Sequence, residues 1–124
     1  NIKLIKSMYV DEPEVLDAAI KQQKLFEPLK KQVTFTKSAP FYYEANTNGV
    51  SKGNALQVLC EKLSLTAANV MAIGDEANDL SMIKFAGHGV AMGNAIPEVK
   101  QVADEITVDN EHDGVAKAIE AITR

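Results

Sequence analysis

A charge-free apolar run, Val70-Met71-Ala72-Ile73, ends in Gly74 and leads straight into Asp75-Glu76-Ala77-Asn78-Asp79. A short continuous apolar run of this kind reads as a strand covered on both faces, because an alternating pattern would leave one face for water. The segments around it narrow the choice further. Upstream, Ser51 is placed to cap a helix whose Leu56, Leu59, Cys60 and Leu63 recur at i, i+3, i+4 and i+7. Downstream come a helix through Leu80 and Ile83, a strand over Gly89–Met92 and a short helix opened by Pro97. A strand over Glu105–Val108 and a last helix with Val115, Ala118, Ile119 and Ile122 along one side complete the run. Helix and strand alternate throughout, which predicts an α/β fold with a parallel, doubly wound sheet over residues 48–124.

Residues 1–47 have another rhythm. The chain begins without an initiator methionine, in a strand where Ile2, Leu4, Met8 and Val10 share one face and Lys6 breaks the pattern. A strand with no lead-in suggests a chain cut from something longer. Asp11-Glu12-Pro13-Glu14 is a helix start, with Asp11 as cap, Glu14 at the capping-box position and Pro13 in the first turn. Val15, Ala19, Gln22, Phe26 and Leu29 mark the helix face, and Pro28 ends or kinks it. Strands over Val33–Lys37 and Phe41–Ala45 follow, then a turn at Asn48-Gly49. The order is β-α-β-β, an α+β module.

The net charge of −4 argues against a general nucleic-acid binder. No apolar stretch approaches the roughly 20 residues that span a bilayer. Cys60 is the single cysteine, which excludes an internal disulfide and fits a reducing, cytoplasmic setting.

The loop after Ile73 carries the sharpest chemical signal. Ligands of open α/β sheets bind beyond the carboxyl ends of the strands, and a glycine there lets the backbone turn tightly. Asp75 and Asp79 offer the hard oxygen donors that Mg²⁺ prefers, and a helix start beside them favours an anion. The competing reading is that Asp75 merely caps the helix and Asp79 is a solvated carboxylate of its first turn. Lys52 sits in the first turn of its helix, where an ammonium opposes the dipole. It serves a phosphate or carboxylate, or it is simply a lysine in water.

Other features fall away. Gly87-His88-Gly89-Val90-Ala91-Met92-Gly93 has the wrong spacing for a dinucleotide loop, and a strand follows its paired glycines. His88 and His112 lack partners at metal-ligand spacing and read as loop residues. Tyr42 and Tyr43 read as packing on opposite faces of a strand, and Glu111-His112-Asp113 as the start of the last helix.

Three linked motifs then carry a resemblance: Ser51-Lys52-Gly53-Asn54-Ala55-Leu56, Ile73-Gly74-Asp75-Glu76-Ala77-Asn78-Asp79-Leu80-Ser81-Met82, and Ala86-Gly87-His88-Gly89-Val90-Ala91-Met92-Gly93-Asn94-Ala95. Together they resemble the Cof-type, sugar-phosphatase-like subfamily of the haloacid dehalogenase-like phosphatases. The resemblance implies that residues 48–124 are the C-terminal part of a Rossmann-like core, and residues 1–47 the closing section of an α/β cap domain. It implies Asp75 as a Mg²⁺ ligand and Asp79 as its partner, holding the loop and the motif lysine. It implies Lys52 as the group that neutralises substrate phosphate and attacking carboxylate, Asn78 as a phosphate or substrate contact, and Asn94 as shaping the nearby loop.

The substrate class so implied is small phosphorylated metabolites. The family's Asp-x-Asp nucleophile motif occurs nowhere in the 124 residues, so the chain alone is expected to be inactive. The resemblance implies that the strand bearing that motif lies beside Val70–Ile73, so without it an exposed sheet edge and a homodimer, by edge pairing or exchanged elements, are expected. Two other readings remain: a non-catalytic metal- or phosphate-binding module that self-associates, and a piece of a P-type ion pump. The pump reading is disfavoured by the continuation Leu80-Ser81-Met82.

Overall fold

The computed structural model describes residues 5–22, 24 and 26–123. They form two compact units, residues 1–50 and 51–124. No helix among the described residues is long and apolar enough to cross a membrane.

In the first unit, β1 (Lys6–Val10), α1 (Pro13–Gln22), β2 (Val33–Ala39) and β3 (Tyr42–Thr47) follow in order. The strands make an antiparallel sheet ordered β1-β3-β2. The hydrophobic pattern misled in two places here. In β1 the inward residues include Tyr9, whose ring packs edge-on against Phe26 at 5.2 Å, while Met8 and Val10 are exposed. Ile2 and Leu4 of the expected face lie outside the described residues. In α1 the buried residue is Leu16, and Val15 is exposed, so the face is turned by one residue.

The same helix stops at Gln22, ahead of Phe26 and Leu29; Pro28 lies in a separate 3-10 turn, Glu27–Leu29. Asp11 accepts from the adjacent Glu12 amide (2.8 Å), and the helix proper begins at Pro13. Phe26 packs the centre of this unit, with edge contacts to Phe35 (5.2 Å) and Tyr43 (5.0 Å), and Phe35 stacks on Tyr43. Tyr42 contacts Phe41 instead, consistent with the two tyrosines facing opposite ways. Gly49 closes the segment with φ +80, a conformation that glycine takes without a Cβ clash.

The second unit runs α2 (Lys52–Leu63), β4 (Met71–Gly74), α3 (Leu80–Phe85), β5 (His88–Ala91), α4 (Pro97–Val102), β6 (Glu105–Ile106) and α5 (Gly114–Thr123). The three strands form a parallel sheet ordered β4-β5-β6, each neighbouring pair joined through a helix as parallel pairing demands. Ser51 caps α2 by accepting from the Asn54 amide at 3.1 Å.

The core is made of small and medium residues: Ala72, Ile83, Ala91, Met92, Ala95 and Val99. Val90 and Val99 are fully enclosed. The sequence pattern of α2 and α5 overstated burial. Cys60 and Ala118 are buried, but Leu59, Leu63, Val115, Ile119 and Ile122 are exposed, because no described element covers them. His88 is the first residue of β5 rather than a loop residue; its Nε2 lies 3.2 Å from the Glu105 carboxylate without forming an aligned hydrogen bond. The segment Asn110–His112 is a 3-10 turn, and α5 starts only at Gly114 after Asp113 takes a left-handed φ of 60. β6 is two residues long, shorter than the expected 105–108.

Candidate active site

The site begins at a place where a side chain would not fit. A Cβ on Gly74 would come within 2.5 Å of the Asp79 Cβ, so the glycine lets Asp79 fold back over the end of β4. Asp79 there accepts through Oδ2 from the Asp75 amide (2.9 Å) and the Glu76 amide (3.1 Å). Its Oδ1 meets Lys52 Nζ at 2.5 Å. The residue is 4% exposed, so it is a buried carboxylate saturated by donors. Burial alone would raise its pKa; the Lys52 hydrogen bond and the two backbone amides outweigh that and hold it below the ordinary carboxylate value. The solvated-carboxylate reading of Asp79 does not survive this geometry.

A second glycine brings Lys52 into reach. Gly53 is buried, and a Cβ on it would meet the Ser81 carbonyl oxygen at 2.5 Å. Its amide donates to Ser81 Oγ at 3.0 Å, a backbone-to-side-chain bond that ties α2 to α3 at this close approach. Ser81, quoted within the second motif but given no role there, holds the start of α2 through this bond. Lys52 keeps a half-exposed side chain while its Nζ engages Asp79.

Asp75 lies at the carboxyl end of β4. Its carbonyl accepts from the Ile96 amide (3.0 Å), and its Oδ2 accepts from Asn94 Nδ2 (3.1 Å). No cationic side chain touches it among the described residues. Asn78 Oδ1 is buried and has no hydrogen-bond partner among them, an acceptor that normally finds a donor. The strand end thus gathers Lys52, Asp75, Asn78 and Asp79, with Asp79 in direct contact with both the Lys52 ammonium and the Asp75 backbone amide. Neither His88 nor His112 joins it: no cluster of three His, Cys, Asp or Glu side chains able to hold a metal occurs among the described residues. His112 pairs with Asp109.

The profile of a family described as haloacid dehalogenase-like hydrolase matches residues 1–119. The chain belongs to the haloacid dehalogenase-like hydrolases. It is 50% identical over 107 residues to 5-amino-6-(5-phospho-D-ribitylamino)uracil phosphatase YcsE of Bacillus subtilis, covering 86% of this chain and 43% of that protein. A haloacid dehalogenase-like hydrolase from Bacteroides thetaiotaomicron is 42% identical and superposes with a TM-score of 0.78, over 98% of this chain and 45% of that one. The structure of the subclass IIB sugar phosphatase BT4131 is 25% identical with a TM-score of 0.82, over 99% and 45%. The chain therefore spans less than half the length of these haloacid dehalogenase-like relatives.

Proposed function

We propose that this chain carries the metal-holding and charge-neutralising part of a Mg²⁺-dependent phosphatase acting on small phosphorylated metabolites such as sugar phosphates. The observation that carries the reading is the Lys52–Asp79 contact beside Asp75: a buried acid holds an ammonium at the strand end where a phosphate would arrive. Lys52 neutralises the transferring phosphoryl group, Asp79 fixes Lys52 and the loop, and Asn78 Oδ1 meets a donor on the substrate or on the completed site.

The donor set fits magnesium in part. Asp75 presents a hard carboxylate that carries one neutral amide contact, and Mg²⁺ takes one or two carboxylates with phosphate oxygens and water. Bound there, the ion would polarise a phosphoryl oxygen and offset developing charge. Residues 1–47 are read as the closing section of a cap and 48–124 as part of the core. The chain holds no Asp-x-Asp, so it supplies no in-line nucleophile of the family type and is inactive alone. β4 stands at the sheet edge without charge at Met71-Ala72-Ile73, and a second copy of the chain pairs along that edge.

One set of measurements tests this. The chain alone, with Mg²⁺ and sugar phosphates, gives no turnover and scatters light as a dimer. Extended by the part of the Bacillus subtilis relative that this chain does not match, it hydrolyses them, and Lys52→Met lowers kcat by about 10²-fold or more. Turnover by the chain alone, wild-type kcat in Lys52→Met, or a monomer at every concentration would each remove the corresponding part.

A further inference from the structure

We infer that Asn94 is a positioning residue for Asp75, turning one carboxylate oxygen toward a cation and tying that orientation to the turn at residues 109–112. The inference rests on the reading of Asp75 as a Mg²⁺ ligand. Asn94 is used at both ends. Its Nδ2 donates to Asp75 Oδ2 at 3.1 Å, and its Oδ1 accepts from the Asn110 backbone amide at 3.0 Å. These contacts reach 19 and 16 residues along the chain, so the side chain is a bridge between two loops rather than a local cap.

The bridge is held on both sides. Gly93 donates its amide to the Val108 carbonyl at 3.1 Å, and Lys100 Nζ donates to the Gly93 carbonyl at 2.6 Å. A Cβ on Gly93 would lie 2.7 Å from the Asp109 nitrogen, so the two loops approach as closely as backbone allows. On the far side, Asp109 accepts from the Glu111 amide and fixes the turn that presents the Asn110 N–H.

The chemistry suits the role. A carboxamide offers a neutral donor, so it pins Asp75 Oδ2 without competing with a cation for the carboxylate, as Lys or Arg would. Asp75 Oδ1 has no hydrogen-bond partner among the described residues, and is the oxygen left to a hard ion. Hydrogen bonds to ligating groups generally set their orientation and metal affinity. Because Asn94 is itself exposed, its role lies in these two bonds and not in packing.

The test is a Mg²⁺ titration of the ¹⁵N-labelled chain followed by NMR, which reads weak binding directly. In the unmutated chain the Asp75 amide, the Asn94 side-chain NH₂ and the Asn110 amide shift together with one Kd. Asn94→Ala weakens Mg²⁺ at Asp75 by about tenfold, the lower end of what one hydrogen bond to a charged group is worth. Asn110→Pro removes the N–H from which Asn94 accepts, along with the Asn110 side chain, at a first-turn position that tolerates proline, and weakens binding by about twofold. The double variant is no weaker than Asn94→Ala, because Asn110 acts through Asn94. Unchanged Kd in Asn94→Ala, or additive losses, overturns the positioning role while leaving Asp75 a ligand. No Mg²⁺-dependent shift at Asp75 overturns the metal reading and this inference together.

Discussion

The two units solve the same problem with opposite materials. The first is held by bulk: Phe26 is 3% exposed and meets Tyr9, Phe35 and Tyr43. The second is held by closeness: its core is largely alanine and valine, and Gly53, Gly74, Gly89 and Gly93 sit where a Cβ would strike a neighbour within 3.0 Å. Bulk secures a fold without fixing any one contact to a tenth of an ångström. Closeness fixes positions, and the unit that uses it carries Lys52, Asp75 and Asp79. Small domains bury a limited fraction of their surface, so the first unit depends on a few rings, whereas the second depends on many short approaches.

The largest effect that would test this contrast is at Phe26. Replacing a buried Phe with Ala costs about 3–5 kcal/mol, comparable with the whole stability of a small unit. Phe26→Ala should abolish amide protection over residues 6–10 and 33–47, while protection at 71–74 and 88–91 persists. Equal loss in both regions would mean that the first unit's rings support the second as well, and the comparison would fail.

A smaller effect separates two glycines. Gly53→Ala puts a methyl against the Ser81 backbone, an overpacking that costs about 1–3 kcal/mol and moves Lys52 away from Asp79. Gly49→Ala meets nothing within 4 Å, so its cost comes from φ alone, about 1 kcal/mol. Denaturant melts should rank the two in that order, and only Gly53→Ala should disturb the Lys52 side-chain resonance. A reversed ranking would show that α2 and α3 separate easily.

The smallest effect concerns acid. Asp79 has a lowered pKa in the folded chain, so its contribution is present above the ordinary carboxylate value of about 3.9 and is lost as pH falls from there through the folded pKa. Lys52→Met removes one source of that lowering, so its acid-unfolding midpoint, read by circular dichroism, should move upward. The same substitution should leave stability near pH 7 changed much less than Gly53→Ala does, since half of the lysine side chain is in water. An unmoved acid midpoint would mean that the two backbone amides hold Asp79 unaided.

Much of this was legible in the residues. Val70–Ile73 and the glycine after it placed the end of β4, and Ser51 capped α2 as its chemistry suggests. What sequence could not give was which apolar face finds a partner. Periodicity marked Leu59 and Leu63 as readily as Cys60, yet only Cys60 is buried, because spacing states which residues share a side and not what lies against it. In α1 the neighbours Val15 and Leu16 are both apolar, and the packing of Leu16 decided the choice. The site was visible as acids near a strand end, and the resemblance already implied that Asp79 holds Lys52; the backbone approach at Gly53 that permits this contact is what no local pattern encodes.

Cys60 gives the second unit a clock of its own. Its thiol is 4% exposed and is the chain's single cysteine, so a thiol reagent reacts only during moments when α2 lifts or frays. Lys52 rides the same helix, about 12 Å away at the helical rise. The labelling rate therefore counts openings of the element that carries Lys52, with no residue changed. If a bound anion holds Lys52 in place, that rate slows in proportion to occupancy, and the interior of one helix becomes a gauge of how much anion the strand end holds.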